Sequence, residues 1–143
     1  MTKKVLVVDD QYPIRRMVRW SVEHAGFEMH EASNGEQGLA LALTIRPSLM
    51  LLDVMMPGRF DGLEVCRQLR ARPEMANTWI VMLSGNDAPQ DREKGKQVGA
   101  NAYLGVWAAE GIARIEGSGM LGCNTGHECK LYPLLPATAA TLT

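Results

Sequence analysis

At 143 residues the chain has the length of one ordinary domain, which runs to roughly 100–200 residues. A hydrophobic share of 46% with 22% charged residues excludes wholesale disorder, and a net charge of −1 speaks against holding nucleic acid by bulk electrostatics. Three cysteines make no secreted disulfide framework, and the apolar run Val5 to Val8 is too short for a signal-peptide core or a membrane span, so a soluble cytoplasmic domain is predicted.

The elements alternate. Val5 to Val8 reads as a strand buried on both faces. Ile14, Met17, Val18, Ser21, Val22 and Ala25 then recur at helical spacing, with Pro13 suited to the first turn and Gly26 to the stop. Phe27 to Ala32 is a second strand. Asn34 with Gln37 caps a helix that buries Leu39, Ala40 and Leu43 and ends at Pro47. Leu49 to Leu52 is a third strand, running into Asp53. Asp61 with Glu64 opens a helix burying Val65, Cys66 and Leu69, which Pro73 ends. Ile80 to Leu83 is a fourth strand ending at Ser84. Asp87 and Pro89 open a weak fourth helix that stops at Gly99, and Ala102 to Val106 is a short fifth strand. Ala108 to Glu116 reads as one short helix with Ile112 and Ile115 inward. The expected domain is residues 1–116, followed by a poorly ordered tail, residues 117–143. Strands alternating with helices demand parallel pairing with helices on both faces, an α/β three-layer sandwich.

In an open parallel sheet, ligands sit beyond the carboxyl ends of the strands. Asp9, Asp10, Asp53, Ser84 and Gly105-Val106 stand at those ends. Three carboxylates held together repel, and a cation relieves the repulsion. Oxygen-only ligands suit a hard ion, so Mg²⁺ is the natural guest. A divalent ion beside a carboxylate and a hydroxyl is a phosphoryl-transfer arrangement, with the carboxylate as nucleophile.

The segments Lys4-Val5-Leu6-Val7-Val8-Asp9-Asp10, Leu51-Leu52-Asp53-Val54-Met55-Met56-Pro57, Asp61-Gly62, Leu83-Ser84-Gly85 and Gly99-Ala100-Asn101-Ala102-Tyr103-Leu104 carry a family resemblance. In order and spacing they resemble the receiver domain of two-component response regulators, over about residues 3–106. The resemblance implies a flavodoxin-like doubly wound sheet of five parallel strands in the order 2-1-3-4-5. It implies that Asp53 accepts a phosphoryl group from a histidine kinase or phosphotransfer protein, that Ser84 contacts the phosphoryl oxygens, and that Tyr103 is the aromatic that reorients. By position, Asp10, Asp53 and the backbone carbonyl of Met55 would bind Mg²⁺, with Asp9 helping. Such a domain catalyses only its own phosphorylation and dephosphorylation.

Two departures stand out. The loop Pro57-Gly58-Arg59-Phe60 is one residue longer than is common in the family. Where the family carries a lysine at the end of the fifth strand, this chain has Val106-Trp107. A pseudo-receiver that keeps the fold without switching is therefore an alternative. A haloacid-dehalogenase-like phosphatase is a weaker one, because that family uses Asp-x-Asp after its first strand and Asp9 and Asp10 are adjacent. Arg15, Arg16 and Arg19 read as a solvated helix face, and the nine methionines as core filler. Cys123, His127 and Cys129 supply only three ligands at a spacing that matches no common zinc pair, and Gly117-x-Gly119 lacks the strand a nucleotide loop needs. The expectation is a stand-alone receiver that signals through a downstream protein or through self-association, with no direct contact to nucleic acid or membrane.

Overall fold

Val5 to Val8, Leu49 to Leu52 and Ile80 to Leu83 are unbroken apolar runs, each buried on both faces at the centre of a layered structure. The computed structural model describes residues 3–24, 26–84, 89–109 and 112–116. It contains β1 (Lys4–Val8), α1 (Tyr12–His24), β2 (Glu28–Ala32), α2 (Gly35–Ile45), β3 (Leu49–Asp53), α3 (Gly62–Arg70), a 3₁₀ turn (Pro73–Met75), β4 (Trp79–Ser84), α4 (Pro89–Gln97), β5 (Ala102–Ala109) and β6 (Ile112–Glu116). The sheet order is β2-β1-β3-β4-β5-β6, with the first five strands parallel. The expected order 2-1-3-4-5 is therefore present.

Alternate residues of each strand feed two separate cores. Val5, Val7, Leu49, Leu51, Val81 and Leu83 pack with Ile14, Val18 and Val22 of α1. Leu6, Val8, Met50, Leu52, Ile80 and Met82 pack on the other face with Ala42, Val65 and Leu69. Full burial of each such side chain stabilises the fold by roughly 1.5–3 kcal/mol. Both capping pairs form, in part. Asn34 and Asp61 accept from the N–H groups of Gln37 and Glu64, each at 2.9 Å. Their partners do not return the bond: the Gln37 side chain turns to Ser33, and Glu64 turns to Arg67 and Gln68. Gly26 ends α1 at φ +84°, where a side chain would be strained.

One expectation fails. The described residues of the expected last helix are strand: β5 runs on through Ala109, and β6 lies antiparallel to it, with Gly105 opposite Glu116 and Ala109 opposite Ile112. Gly111 weakens the competing helix, and the open edge of β5 offers ladder partners at once. Asp87, the expected tail and the Cys123, His127 and Cys129 group lie outside the described residues. Among the described residues, no helix is long and apolar enough to cross a membrane.

Candidate functional site

The parallel sheet sends the ends of β1, β3 and β4 to one edge. Asp9 and Asp10 follow β1 directly, and the Asp9 N–H donates to the Ala32 carbonyl at 3.1 Å, extending the pairing with β2 by one bond. Asp53 is the last residue of β3 and lies opposite Leu83. The chain then turns sharply. Val54 N–H donates to Leu83 O at 2.8 Å, and Gly62 N–H donates to Val54 O at 3.1 Å. A Cβ on Gly62 would lie 1.9 Å from the Asp53 carbonyl oxygen, so only glycine lets α3 begin this close to the strand end.

The carboxylates of Asp9, Asp10 and Asp53 each offer an oxygen, and these oxygens lie within 4.8 Å of one another. Asp9 is 3% exposed and Asp53 is 9%, while Asp10 faces solvent. Two backbone donors fix the buried pair: Gln11 N–H to Asp9 Oδ1 at 2.8 Å, and Met55 N–H to Asp53 Oδ1 at 3.2 Å. They do not offset the crowding. Burial, helped by the charge of Asp9, lifts the Asp53 carboxyl from 3.8 to about 8. Burial, helped by Asp10 and opposed by the Gln11 N–H, lifts Asp9 to about 6. Carboxylates crowded in this way repel one another, and a cation among them would relieve the repulsion. An all-oxygen donor set fits Mg²⁺ in particular.

Of the remaining predicted residues, Met55 and Ser84 stand at the same edge of the sheet. Met55 follows in the β3–α3 turn with its side chain 74% exposed. Ser84 closes β4, its backbone opposite Gly105, one residue beyond the level of Asp53. Tyr103 lies apart from the carboxylates. It pairs with Met82 in β5, packs against the core on the α3 face, and borders a shallow hollow with Gly95, Lys96 and Ala100. Val106 lies past Gly105, where β5 has left β4 and pairs with β6, and β5 carries no lysine.

Sequence reasoning missed two features. Asn101 Oδ1 accepts from both Ile80 N–H at 2.7 Å and Arg70 Nη2 at 2.5 Å, tying α3 to the far end of the sheet. Arg15, read as part of a solvated face, is mostly covered and donates to the Asp9 carbonyl. A charged residue in the first helical turn gives no local sign of a partner on another strand.

Comparison with known proteins bears on the same residues. The family model described as the response regulator receiver domain matches residues 5–105. The alkaline phosphatase synthesis transcriptional regulatory protein PhoP of Bacillus subtilis is 41% identical over 104 residues, a match covering 73% of this chain and 42% of PhoP. The chain thus spans less than half the length of that relative. Among solved structures, chemotaxis protein CheY4 of Vibrio cholerae is similar at 36% identity and a TM-score of 0.68, over 73% of this chain and 86% of CheY4. The BeF3-activated receiver domain of DrrB, from Thermotoga maritima, is similar at 30% identity and a TM-score of 0.62, over 72% and 83%. Neither fold nor relatives favour the phosphatase or pseudo-receiver alternatives. With the five-stranded parallel sheet, three carboxylates at its carboxyl edge and a family match across all five parallel strands, this chain belongs to the receiver domains of response regulators.

Proposed function

We propose that Asp53 is the phosphoacceptor of this receiver and that Asp10, Asp53 and the Met55 carbonyl hold Mg²⁺, with Asp9 assisting. The observation that carries this reading is the burial of Asp53 beside two further carboxylates at the end of β3. When bound, Mg²⁺ offsets the charge of the carboxylates and of the incoming phosphoryl oxygens. Met55 N–H holds Asp53 Oδ1, which leaves Oδ2 to attack phosphorus. As that O–P bond forms, the P–N bond of a phosphohistidine breaks and the imidazole nitrogen keeps the electron pair. The chain's chemistry is then limited to gaining and losing its own phosphoryl group.

Ser84 donates its hydroxyl to a phosphoryl oxygen, and Tyr103 shifts in its half-buried position as the β4 end adjusts. The donor is a histidine kinase or a phosphotransfer protein, the compartment is the cytoplasm, and output passes through a protein partner or self-association. The BeF3-activated state of the related DrrB receiver supports a site that accepts a tetrahedral phosphoryl mimic. The test is intact-mass analysis after incubation with a small phosphodonor, with and without Mg²⁺. A single Mg²⁺-dependent phosphoryl adduct is expected, and Asp53→Asn should abolish it. An adduct of equal yield on that variant refutes the assignment.

A further inference from the structure

Three arginines, Arg15, Arg16 and Arg19, stand on α1, and their surroundings differ. Arg16 is exposed. The Arg15 side chain is only 15% exposed, although it lies in the first turn of a surface helix. Its Nη1 donates to the Asp9 carbonyl oxygen at 2.6 Å, its Nε lies 3.4 Å from Glu31 Oε1, and its guanidinium stands 5.6 Å from the Tyr12 ring centroid. Arg19 takes the other oxygen of Glu31, with Nη2 at 2.5 Å, and reaches Glu23 with Nη1 at 2.8 Å. Glu31 is itself fixed by its place in β2, opposite Val7 of β1.

The acceptor matters more than the charge. The Asp9 carbonyl belongs to the same planar peptide group as the Asp10 nitrogen, so anchoring that oxygen sets the plane from which the Asp10 side chain departs. The flanking Asp9 N–H is held by Ala32, and the Asp9 carboxylate is held by Gln11 N–H. Among the hydrogen bonds of the described residues, only the Arg15 bond takes the Asp9 carbonyl oxygen itself, at the peptide that the Gln11-to-Asp9 turn encloses. We infer that Arg15, braced by Glu31, is a positioning residue that orients the Asp9–Asp10 peptide and so aims the Asp10 carboxylate at the cation. This rests on the Mg²⁺ reading given above.

Positioning and simple charge predict opposite signs. A guanidinium near a divalent ion repels it, so if charge alone operated, Arg15→Met would tighten Mg²⁺ binding. If Arg15 orients the peptide, its loss weakens binding, and groups that orient a ligand in this way typically account for 10–100-fold in metal affinity. The experiment is calorimetric titration of the full chain with MgCl₂ at fixed ionic strength. Arg15→Met should raise Kd on the order of tenfold. Arg15→Lys, which keeps one donor for the carbonyl, should recover part of the loss, and Glu31→Gln should weaken binding less than Arg15→Met. In an Asp10→Asn background, Arg15→Met should add nothing further, since there is no carboxylate left to aim.

A second readout needs no metal. In the metal-free protein, Arg15→Met should speed hydrogen exchange at the Gln11 amide, whose bond to Asp9 Oδ1 depends on the same turn, by on the order of tenfold. Unchanged or tighter Mg²⁺ binding in Arg15→Met overturns the inference while leaving the cation reading intact. A parent that takes no Mg²⁺ overturns the cation reading and, with it, the aim assigned to Asp10. Unaltered Gln11 exchange overturns the anchoring of the turn itself.

Discussion

Replacing Asp53 with asparagine should stabilise the metal-free protein, and the gain should grow as the pH rises. In the folded state burial and the Asp9 charge lift the Asp53 carboxyl from 3.8 to about 8. The folded protein therefore holds this proton more tightly than the unfolded chain does. Below pH 3.8 both states are protonated and the site costs nothing. From there up to about pH 8 the unfolded chain has lost the proton and the folded protein retains it, so stability falls with every pH unit by about 1.4 kcal/mol. At pH 7 the accumulated loss is on the order of 4 kcal/mol. Asparagine has nearly the shape of the protonated acid, keeps an oxygen for the Met55 N–H, and can donate its amide to the neighbouring carboxylates. Asp53→Asn should thus escape the pH-dependent loss.

For a domain of this size, about 3 °C of Tm accompanies each kcal/mol. Thermal unfolding in chelator should place the variant about 10 °C above the parent at pH 7, with the two converging near pH 4. Adding Mg²⁺ at about 100 times its Kd should return about 2.7 kcal/mol to the parent and narrow the gap. Equal melting temperatures at pH 7, or a gap that does not close on acidification, would refute the electrostatic reading of the site.

Mg²⁺ affinity should itself fall as the pH drops from 8 through 6, because protons compete for Asp53 and then Asp9; calorimetry showing a flat profile would place the ion elsewhere. Gly62→Ala should destabilise the protein by about 3 kcal/mol in urea unfolding, since the new methyl meets the Asp53 carbonyl and backbone must move; a loss under about 0.5 kcal/mol would show that the turn has room. Val106→Lys should enlarge the BeF3-induced NMR shifts of the Tyr103 region, because a bound phosphoryl mimic gains a cation that favours one conformation over the other. Full response in the parent, unimproved by the lysine, would mean another group fills that role.

The central parallel strands were legible because their signal is local: four apolar residues in a row at Val5 to Val8, Leu49 to Leu52 and Ile80 to Leu83. The sites at their ends were legible for the same reason, as Asp9, Asp10 and Asp53 directly follow such runs. What escaped was non-local. Ile112 and Ile115 stand three apart, a helical interval, and only the open edge of β5 tips residues 112–116 into a strand. The brace on Asp9 needs Glu31, whose sequence distance from Arg15 hides the contact. Periodicity records which face of an element is apolar, and is blind to which charge meets which across two elements.

The division of each strand between two cores also acts as a ruler. Met50 belongs to one core and Leu51 to the other, and Ile80 and Val81 divide in the same way on β4. Sliding β3 by a single residue against β1 and β4 would exchange both sets at once, a misfit felt on two faces of the sheet. Asp53 terminates that strand, so its carboxylate stands where the packing of Met50, Leu51 and Leu52 puts it. The placement of the Asp53 carboxylate at the sheet's edge is thereby inherited from hydrocarbon contacts deep inside. Substitutions that loosen those contacts would blur the alignment of the three carboxylates without touching any one of them.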